Sequence, residues 1–140
     1  MKAVVDTNLL VSSFISPLSY PREIERRWRR GDFVLVTSGE IIEEVNRVLH
    51  LPRIQGKYHL SELDIQAFVL TLTHRAACVA GRLILKDVAP DPGDDKIISC
   101  AIEGEADLIV TGDKALQRVG EYQGIKTINA EAFIRVLEGK

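Results

Sequence analysis

Acidic residues follow two of the short apolar runs in this sequence. Asp6 comes directly after Ala3–Val5, and Asp113 comes shortly after Leu108–Thr111. Asp95 lies where a helix is predicted to begin, ahead of the second run. If both runs are strands of one parallel sheet, their carboxyl ends meet at the same edge, where such sheets bind ligands. The three carboxylates are therefore expected to lie close to one another.

A fourth carboxylate is predicted on the helix that follows Phe33–Val36. At 100° per residue, the apolar stripe of this helix leaves Glu44 on its flank and Glu43 opposite the stripe, toward water. Glu40 is assigned as the capping-box partner of Thr37. Among the three glutamates, Glu44 is therefore the best ligand candidate.

Four carboxylates that converge on one site repel one another and raise each other's pKa unless a cation lies among them. Hard oxygen ligands with no nearby His or Cys favour Mg²⁺ or Mn²⁺ over Zn²⁺. Such ions are suited to phosphoryl chemistry, because they lower the pKa of water and neutralise charge in the transition state. The residues thus predict a metal site, while the identity of the substrate requires further evidence.

The runs that precede these acids belong to an alternation of strands and helices. Five runs are predicted as strands: Lys2–Val5, Phe33–Val36, Ala77–Ala80, Leu108–Thr111 and Ile125–Ile128. Helices are predicted to begin at four capping residues: Thr37, Ser61, Asp94 and Asn129. This alternation predicts an α/β fold, in which a parallel sheet carries helices on both faces.

The bulk properties of the chain are those of one ordinary domain, and we expect a single domain over residues 1–140. A net charge of −2 and a pI of about 5.9 argue against a protein that binds nucleic acid by charge alone. They do not exclude an enzyme that acts on nucleic acid through a local site.

Cys78 and Cys100 have no companion Cys or His at metal-ligand spacing, so reduced thiols are expected.

The amino-terminal residues predict no secretory signal, because Asp6 interrupts the first apolar run. No apolar stretch approaches the roughly 20 residues that a membrane-spanning helix needs. A cytoplasmic protein without a membrane partner is therefore expected.

Four segments together resemble the PIN-domain nucleases: Ala3–Leu10, Glu44–Leu49, Asp91–Lys96 and Val110–Lys114. They occur in the family's order and at its usual spacing, and the resemblance covers essentially the whole chain. It implies a three-layer α/β/α sandwich with a short parallel sheet. It also implies a Mg²⁺- or Mn²⁺-dependent endoribonuclease that leaves a 5′-phosphate and a 3′-hydroxyl. The most similar subgroup is the VapC-like toxins of prokaryotic toxin–antitoxin pairs, which implies an RNA substrate, an antitoxin partner and a homodimer.

The resemblance also implies roles for particular residues. By position, the family's acidic metal-binding and catalytic residues fall on Asp6, Glu44, Asp95 and Asp113. Positions that often supply supporting polar contacts fall on Thr7, Asn8 and Thr111. Within the doublet, Asp95 fits the family's spacing to Ile98, and Asp94 is better placed to cap the helix.

Each of these acids also has a purely structural interpretation. Asp6 and Asp113 could serve only as helix caps, Glu44 as a solvated helix residue, and Asp95 as a favourable charge at a helix start. The basic run could contact RNA phosphates through Arg26, Arg27, Arg29 and Arg30. The spacing of Ile24 and Trp28 instead favours a helix anchored to the core, with these arginines in solvent.

Two other phosphoryl-transfer families fit the sequence poorly. A haloacid dehalogenase-type phosphatase needs a second Asp two residues after the first, where this chain has Asn8, and a late acid where it has Gln117. A response-regulator receiver needs an early acidic pair, which does not precede Asp6. The main alternative is a PIN-like domain that binds RNA or protein without cleaving RNA.

Overall fold

A six-stranded sheet organises residues 1–139, which are the residues that the computed structural model describes. Lys140, which the expected single domain includes, lies outside the described residues. The strands are β1 (Lys2–Val5), β2 (Val34–Ser38), β3 (Ala77–Val79), β4 (Leu108–Val110), β5 (Glu121–Tyr122) and β6 (Ile125–Ile128). The helices are α1 (Thr7–Ile15), α2 (Tyr20–Arg29), α3 (Gly39–Leu49), α4 (Pro52–Gln55), α5 (Glu62–Arg75), α6 (Asp95–Glu103), α7 (Lys114–Val119) and α8 (Ala130–Leu137). A 3₁₀ turn, Pro92–Asp94, leads directly into α6.

The strand order β3-β2-β1-β4-β6-β5 places β1 and β4 side by side at the centre of the sheet. All pairings are parallel except that of the short β5 with β6. The chain builds outward from β1 through β2 to β3, and then returns to the other side of β1 to form β4. The strand order therefore reverses between β1 and β4, and a crevice forms beyond their carboxyl ends at such a switch point.

The central strands are buried beyond their first residues because helices pack around them. Val4 and Ile109, which pair in register, are both completely buried. Phe33, just before β2, meets Phe133 of α8 edge-to-face, with ring centroids 4.9 Å apart. This mostly parallel sheet flanked by helices is the α/β architecture that the alternation of strands and helices predicted.

The five predicted strands are all present, and β1 and β6 have the predicted bounds. The predicted capping residue of α3 is wrong. Because β2 continues to Ser38, Thr37 remains in the sheet, and the Ser38 hydroxyl accepts the N–H of Ile41 at 3.2 Å instead. The predicted caps of α5 and α8, Ser61 and Asn129, are confirmed.

Along residues 1–139, none of the helices combines the length and the apolar character that spanning a membrane would require.

Candidate active site

Carboxylates from four parts of the chain surround a cavity of about 170 Å³ beyond the carboxyl ends of β1 and β4. Asp6 directly follows β1, Asp113 follows β4, and Glu44 projects from α3. Asp94 closes the 3₁₀ turn ahead of α6, and Asp91 lies just before that turn. We call this space the acidic cavity. It lies at the switch point of the sheet, where the fold is expected to bind its ligand.

Asp6 is the most deeply buried of these acids, with 6% of its surface exposed. Its Oδ1 accepts the N–H of Leu9 at 2.8 Å, which caps α1, and its Oδ2 accepts the hydroxyl of Thr111. Burial raises the pKa of Asp6, and the charge of Asp113 adds to this, although the hydrogen bonds oppose it. The Asp6 carboxylate is thus held rigidly in a place where its negative charge is unfavourable unless a cation is near.

Thr111 connects the turns that follow the two central strands. It is fully buried, and its hydroxyl donates to Asp6 while accepting the N–H of Asp113 at 3.0 Å. The side chain of Gln117 donates to the Thr111 carbonyl at 2.6 Å. Thr111 therefore lies where the sequence placed a supporting polar residue, between two of the predicted acids.

Asp94 and Asp113 share a hydrogen bond between their carboxyl groups, which requires that one of them is protonated. Burial, this hydrogen bond and the neighbouring negative charges raise the pKa of Asp94 to about 7. The same hydrogen bond lowers the pKa of Asp113, whose Oδ1 also accepts the N–H groups of Ala115 and Leu116 at the start of α7. The pair retains a proton near neutral pH because two carboxylates this close do not both ionise readily.

Glu44 is paired with the ammonium group of Lys96. The Lys96 side chain is 15% exposed, and its Nζ also donates to the carbonyl of Gly93 at 2.9 Å. The sequence pattern assigned no role to Lys96. The signal that could have found it is its position directly after the Asp94–Asp95 doublet, which keeps its side chain near any site built on that doublet.

Asp95 lies outside the acidic cavity, although the sequence pattern placed it in the metal centre. Its carboxylate accepts the N–H groups of Asp87, Val88 and Ala89 at 2.9, 3.1 and 2.8 Å. These bonds, led by that from Ala89, lower its pKa. The structure brings Asp94 into the cavity instead, and Asp94 does not cap α6 through its side chain as expected. The two side chains diverge because the 3₁₀ turn ends at Asp94 and α6 begins at Asp95.

Asp95 is the first member of a polar stripe along α6, which Ser99 and Glu103 continue at intervals of four residues. Ser99 accepts the N–H of Leu85 at 3.0 Å. Glu103 accepts the N–H groups of Gly81 and Leu83 at 3.0 and 2.8 Å. The α6 stripe therefore fastens the backbone of segment 81–89 along the helix, beside the acidic cavity.

Thr7 and Asn8, the other predicted supporting residues, both line the acidic cavity. Asn8 is exposed, whereas Thr7 is 6% exposed. Within the described part of the chain, the buried hydroxyl of Thr7 has no hydrogen-bond partner. A buried hydroxyl oxygen is seldom left without a partner, so a ligand or water is expected beside it.

The predicted RNA-contacting arginines lie on α2 and just after it, away from the acidic cavity. Ile24 and Trp28 anchor α2 in the core, as their spacing indicated. Each of the four guanidinium groups pairs with a carboxylate: Arg26 with Glu23, Arg27 with Glu23, Asp32 and Glu138, Arg29 with Glu25, and Arg30 with Asp32. None of the four lines the acidic cavity. The predicted solvent exposure holds for three of these arginines, whereas Arg27 is half-buried among its carboxylate partners.

The donor set of the acidic cavity fits a hard divalent cation. Its carboxylates outnumber its cations, one pair of them retains a proton, and the Thr7 oxygen is unsatisfied. Within residues 1–139, no three Asp, Glu, His or Cys side chains lie close enough together to hold an ion as they stand. An ion bound here would take the place of the Asp94–Asp113 proton and of the Lys96 ammonium beside Glu44.

Comparison with known sequences identifies the family of this site. The family profile described as PIN domain matches residues 2–115, which include all five cavity acids. The chain belongs to the PIN-domain family. An uncharacterized protein of Methanocaldococcus jannaschii, MJ1680, is 31% identical over 116 residues, which cover 83% of this chain and 73% of the relative. PIN domains are generally nucleases and typically use divalent metal ions, so this chain has a nuclease-type fold with its acidic cavity at the expected edge of the sheet.

Proposed function

We propose that this PIN-domain protein is a Mg²⁺- or Mn²⁺-dependent endoribonuclease, and that it is the toxin component of a toxin–antitoxin pair. The observation that carries the nuclease assignment is the convergence of Asp6, Glu44, Asp94 and Asp113 on one cavity at the switch point. Asp94 replaces Asp95 in the metal centre that the sequence pattern suggested.

The four carboxylates divide into an anchored group and an adjustable group. Asp6 and Asp113 are fixed by backbone N–H groups and by Thr111, so they would hold an ion in a defined place. Asp94 and Glu44 would change partner if an ion bound, because the first would give up the shared proton and the second would give up Lys96. A divalent ion held there supplies positive charge that stabilises the phosphate in the transition state and favours loss of a proton from water.

Asp94 would release its proton when a divalent ion binds, because it would then serve as a carboxylate ligand. Its pKa of about 7 in the ion-free protein makes that release accessible under physiological conditions. Asp113, fastened to the start of α7, would keep its oxygens in place during the exchange. Thr7 and Asn8, on the first turn of α1, would orient water or substrate oxygens at the cavity mouth.

The choice of RNA, the antitoxin partner and the homodimer rest on the resemblance of four sequence segments to VapC-like toxins. Light scattering on the purified chain tests the homodimer, which should have twice the 15.6 kDa mass of one chain. Expression with the adjacent reading frame of its genome tests the antitoxin, which should co-purify and suppress RNA cleavage.

The experiment that tests the nuclease assignment is cleavage of a mixed RNA pool with Mn²⁺, with EDTA, and with the variant Asp6→Asn. Asp107→Asn is a matched control, since Asp107 accepts the N–H of Lys2 at the opposite edge of the sheet. We expect cleavage by the wild type and by Asp107→Asn in Mn²⁺, and none with EDTA or Asp6→Asn. A partner-free wild type that binds RNA but never cuts it would instead establish a non-catalytic binding module.

A further inference from the structure

Lys96 is the one cation among the described residues that line the acidic cavity. Its ammonium group pairs with Glu44, and the Gly93 carbonyl accepts a second hydrogen bond from it at 2.9 Å. With a side chain only 15% exposed, it is removed from most of the surrounding water. A cation in this place offsets part of the negative charge of the cavity when no metal ion is present.

Lys96 also lines a second, larger space of about 470 Å³, which we call the neighbouring groove. This groove runs between segment 81–89 and the start of α3, and Lys86 is its other cationic residue among those described. Three acids also line it: Glu40, and Asp95 and Glu103, which both accept backbone N–H groups. Gly93 and Lys96 line both spaces, so the Lys96 side chain lies on the boundary between them. A flexible four-carbon side chain anchored at that point can place its charge in either space.

The acidic cavity by itself repels a nucleic-acid substrate, because five carboxylates surround the place where a phosphate must come. A divalent ion would relieve that repulsion, and an ion that binds Glu44 would have to displace the Lys96 ammonium group from that carboxylate. The ammonium group and the ion therefore compete for one carboxylate. Once displaced, Lys96 needs a new anionic partner, and a phosphodiester in the neighbouring groove supplies one.

We infer that Lys96 is a partner-exchanging, substrate-binding residue: it neutralises Glu44 in the ion-free protein and, when a divalent ion takes Glu44, it binds a backbone phosphate of the RNA next to the scissile bond. This inference rests on ion binding in the acidic cavity, which belongs to the proposed function, and it does not require that the RNA is cut. It couples ion binding to substrate binding, since each of the two events favours the other.

Calorimetric titration of Mn²⁺ into Lys96→Met and wild-type protein tests the competition. Removal of the competing ammonium group should tighten Mn²⁺ binding by roughly 3- to 10-fold, as expected for a partly buried ion pair. Lys57→Met is the matched control, since Lys57 lies over the Tyr58 ring, outside both spaces. Unchanged or weaker Mn²⁺ binding in a folded Lys96→Met would overturn the inference.

Binding of Lys96 to an RNA phosphate is tested by fluorescence anisotropy with a labelled RNA oligonucleotide. The measurement is made in Ca²⁺, and the RNA must be recovered intact. Ca²⁺ should strengthen RNA binding by the wild type and by Lys57→Met. In Lys96→Met the increase in RNA affinity that Ca²⁺ produces should be about 10-fold smaller. The slope of affinity against salt concentration should decrease by the amount expected for about one phosphate contact. An equal gain in both variants would show that Lys96 does not reach the RNA.

A measurement on the wild type alone covers the case in which Lys96→Met fails to fold. The NMR signal of the Lys96 side-chain amine should shift during a Mg²⁺ titration and saturate with the calorimetric Mg²⁺ affinity. A signal that stays unchanged at saturating Mg²⁺ would refute the exchange. If the exchange occurs but no RNA is cut, the nuclease assignment fails and this inference stands; if RNA is cut and Lys96→Met behaves as wild type, the reverse holds.

Discussion

Asp94 lines the acidic cavity, and the next residue, Asp95, is the first member of the α6 stripe. The pKa values of these two carboxyl groups are nevertheless shifted in opposite directions. In the cavity, burial, the hydrogen bond with Asp113 and the charges of the neighbouring acids raise the pKa of Asp94 to about 7. On the stripe, Asp95 accepts three backbone N–H groups, and its pKa is lowered. The comparison separates two uses of a carboxylate. One with its hydrogen bonds satisfied holds the fold together, and one crowded by like charges is suited to bind a cation.

The α6 stripe places a side-chain acceptor on one face of the helix every four residues, a rise of about 6 Å. Segment 81–89 runs past these acceptors in the opposite direction, so Glu103, Ser99 and Asp95 meet N–H groups from its successive parts. The stripe thereby fixes one wall of the neighbouring groove, and the proposed metal site lies beside that groove.

The largest expected difference between the acidic cavity and the α6 stripe is in RNA cleavage. It is measured with two isosteric variants, Asp94→Asn and Asp95→Asn. Loss of the Asp94 charge should lower kcat/KM at least about 100-fold, as for removal of a group that holds the metal, whereas Asp95→Asn should lower it less than about 10-fold. Initial-rate measurements in Mn²⁺ decide between the two positions. A greater loss in Asp95→Asn would return the metal centre to the residue that the sequence pattern indicated.

The next largest effect is expected in the pH dependence of Mn²⁺ binding and of stability. Because the Asp94–Asp113 pair retains a proton up to about pH 7, Mn²⁺ must displace it at lower pH. Mn²⁺ affinity should rise by up to ~10-fold per pH unit below pH 7 and level off above it. In the ion-free protein, a raised pKa favours the protonated folded state, so the free energy of unfolding should fall as pH rises from 4 toward 7. Asp94→Asn should flatten both profiles, and a slope that persists in this variant would assign the proton elsewhere.

A smaller, local effect is expected on the stripe. Asp95→Ala leaves the N–H groups of Val88 and Ala89 without an acceptor, so their hydrogen exchange should accelerate by about 10-fold. Exchange in the central strand β1 should change little. Heteronuclear NMR or mass spectrometry of the exchanging amides measures both, and equal acceleration throughout the chain would show that Asp95 supports the whole fold.

The smallest effect is expected for Ser99→Ala, which removes one acceptor from the N–H of Leu85. The free energy of unfolding in urea should fall by about 1 kcal/mol. Ser12→Ala on α1 is a suitable control, since the Ser12 side chain forms no hydrogen bond within the described residues. If the two variants have the same free energy of unfolding, water replaces the Ser99 hydroxyl as an acceptor without loss of stability.

Much of the fold and part of the site could be predicted from the sequence. Apolar runs with turn residues after them identify β1 and β4, and the edge where they end places Asp6 and Asp113 together. The doublet could not be resolved in the same way. A helix that begins one residue later turns each side chain by about 100°, and no local pattern separates the two possible starts. The spacing of Asp95, Ser99 and Glu103 on one helix face was the available signal.

Contacts between distant segments explain the other differences. The role of Lys96 depends on its ion pair with Glu44, which lies 52 positions earlier in the sequence. Segment 81–89 has no strand or helix periodicity because its N–H groups bond to side chains of α6. Thr37 and Ser38 are both favourable N-cap residue types, and the length of β2 decides between them.

The most direct test of the proposed metal site is the position of Mn²⁺ in crystals of the wild-type protein, located by its anomalous scattering. We expect a peak in the acidic cavity with Asp6, Glu44, Asp94 and Asp113 as protein ligands. We also expect that Asp95 still accepts the N–H groups of segment 81–89. A Mn²⁺ ion bound by Asp95, or a cavity without a peak at millimolar Mn²⁺, would contradict the proposed site.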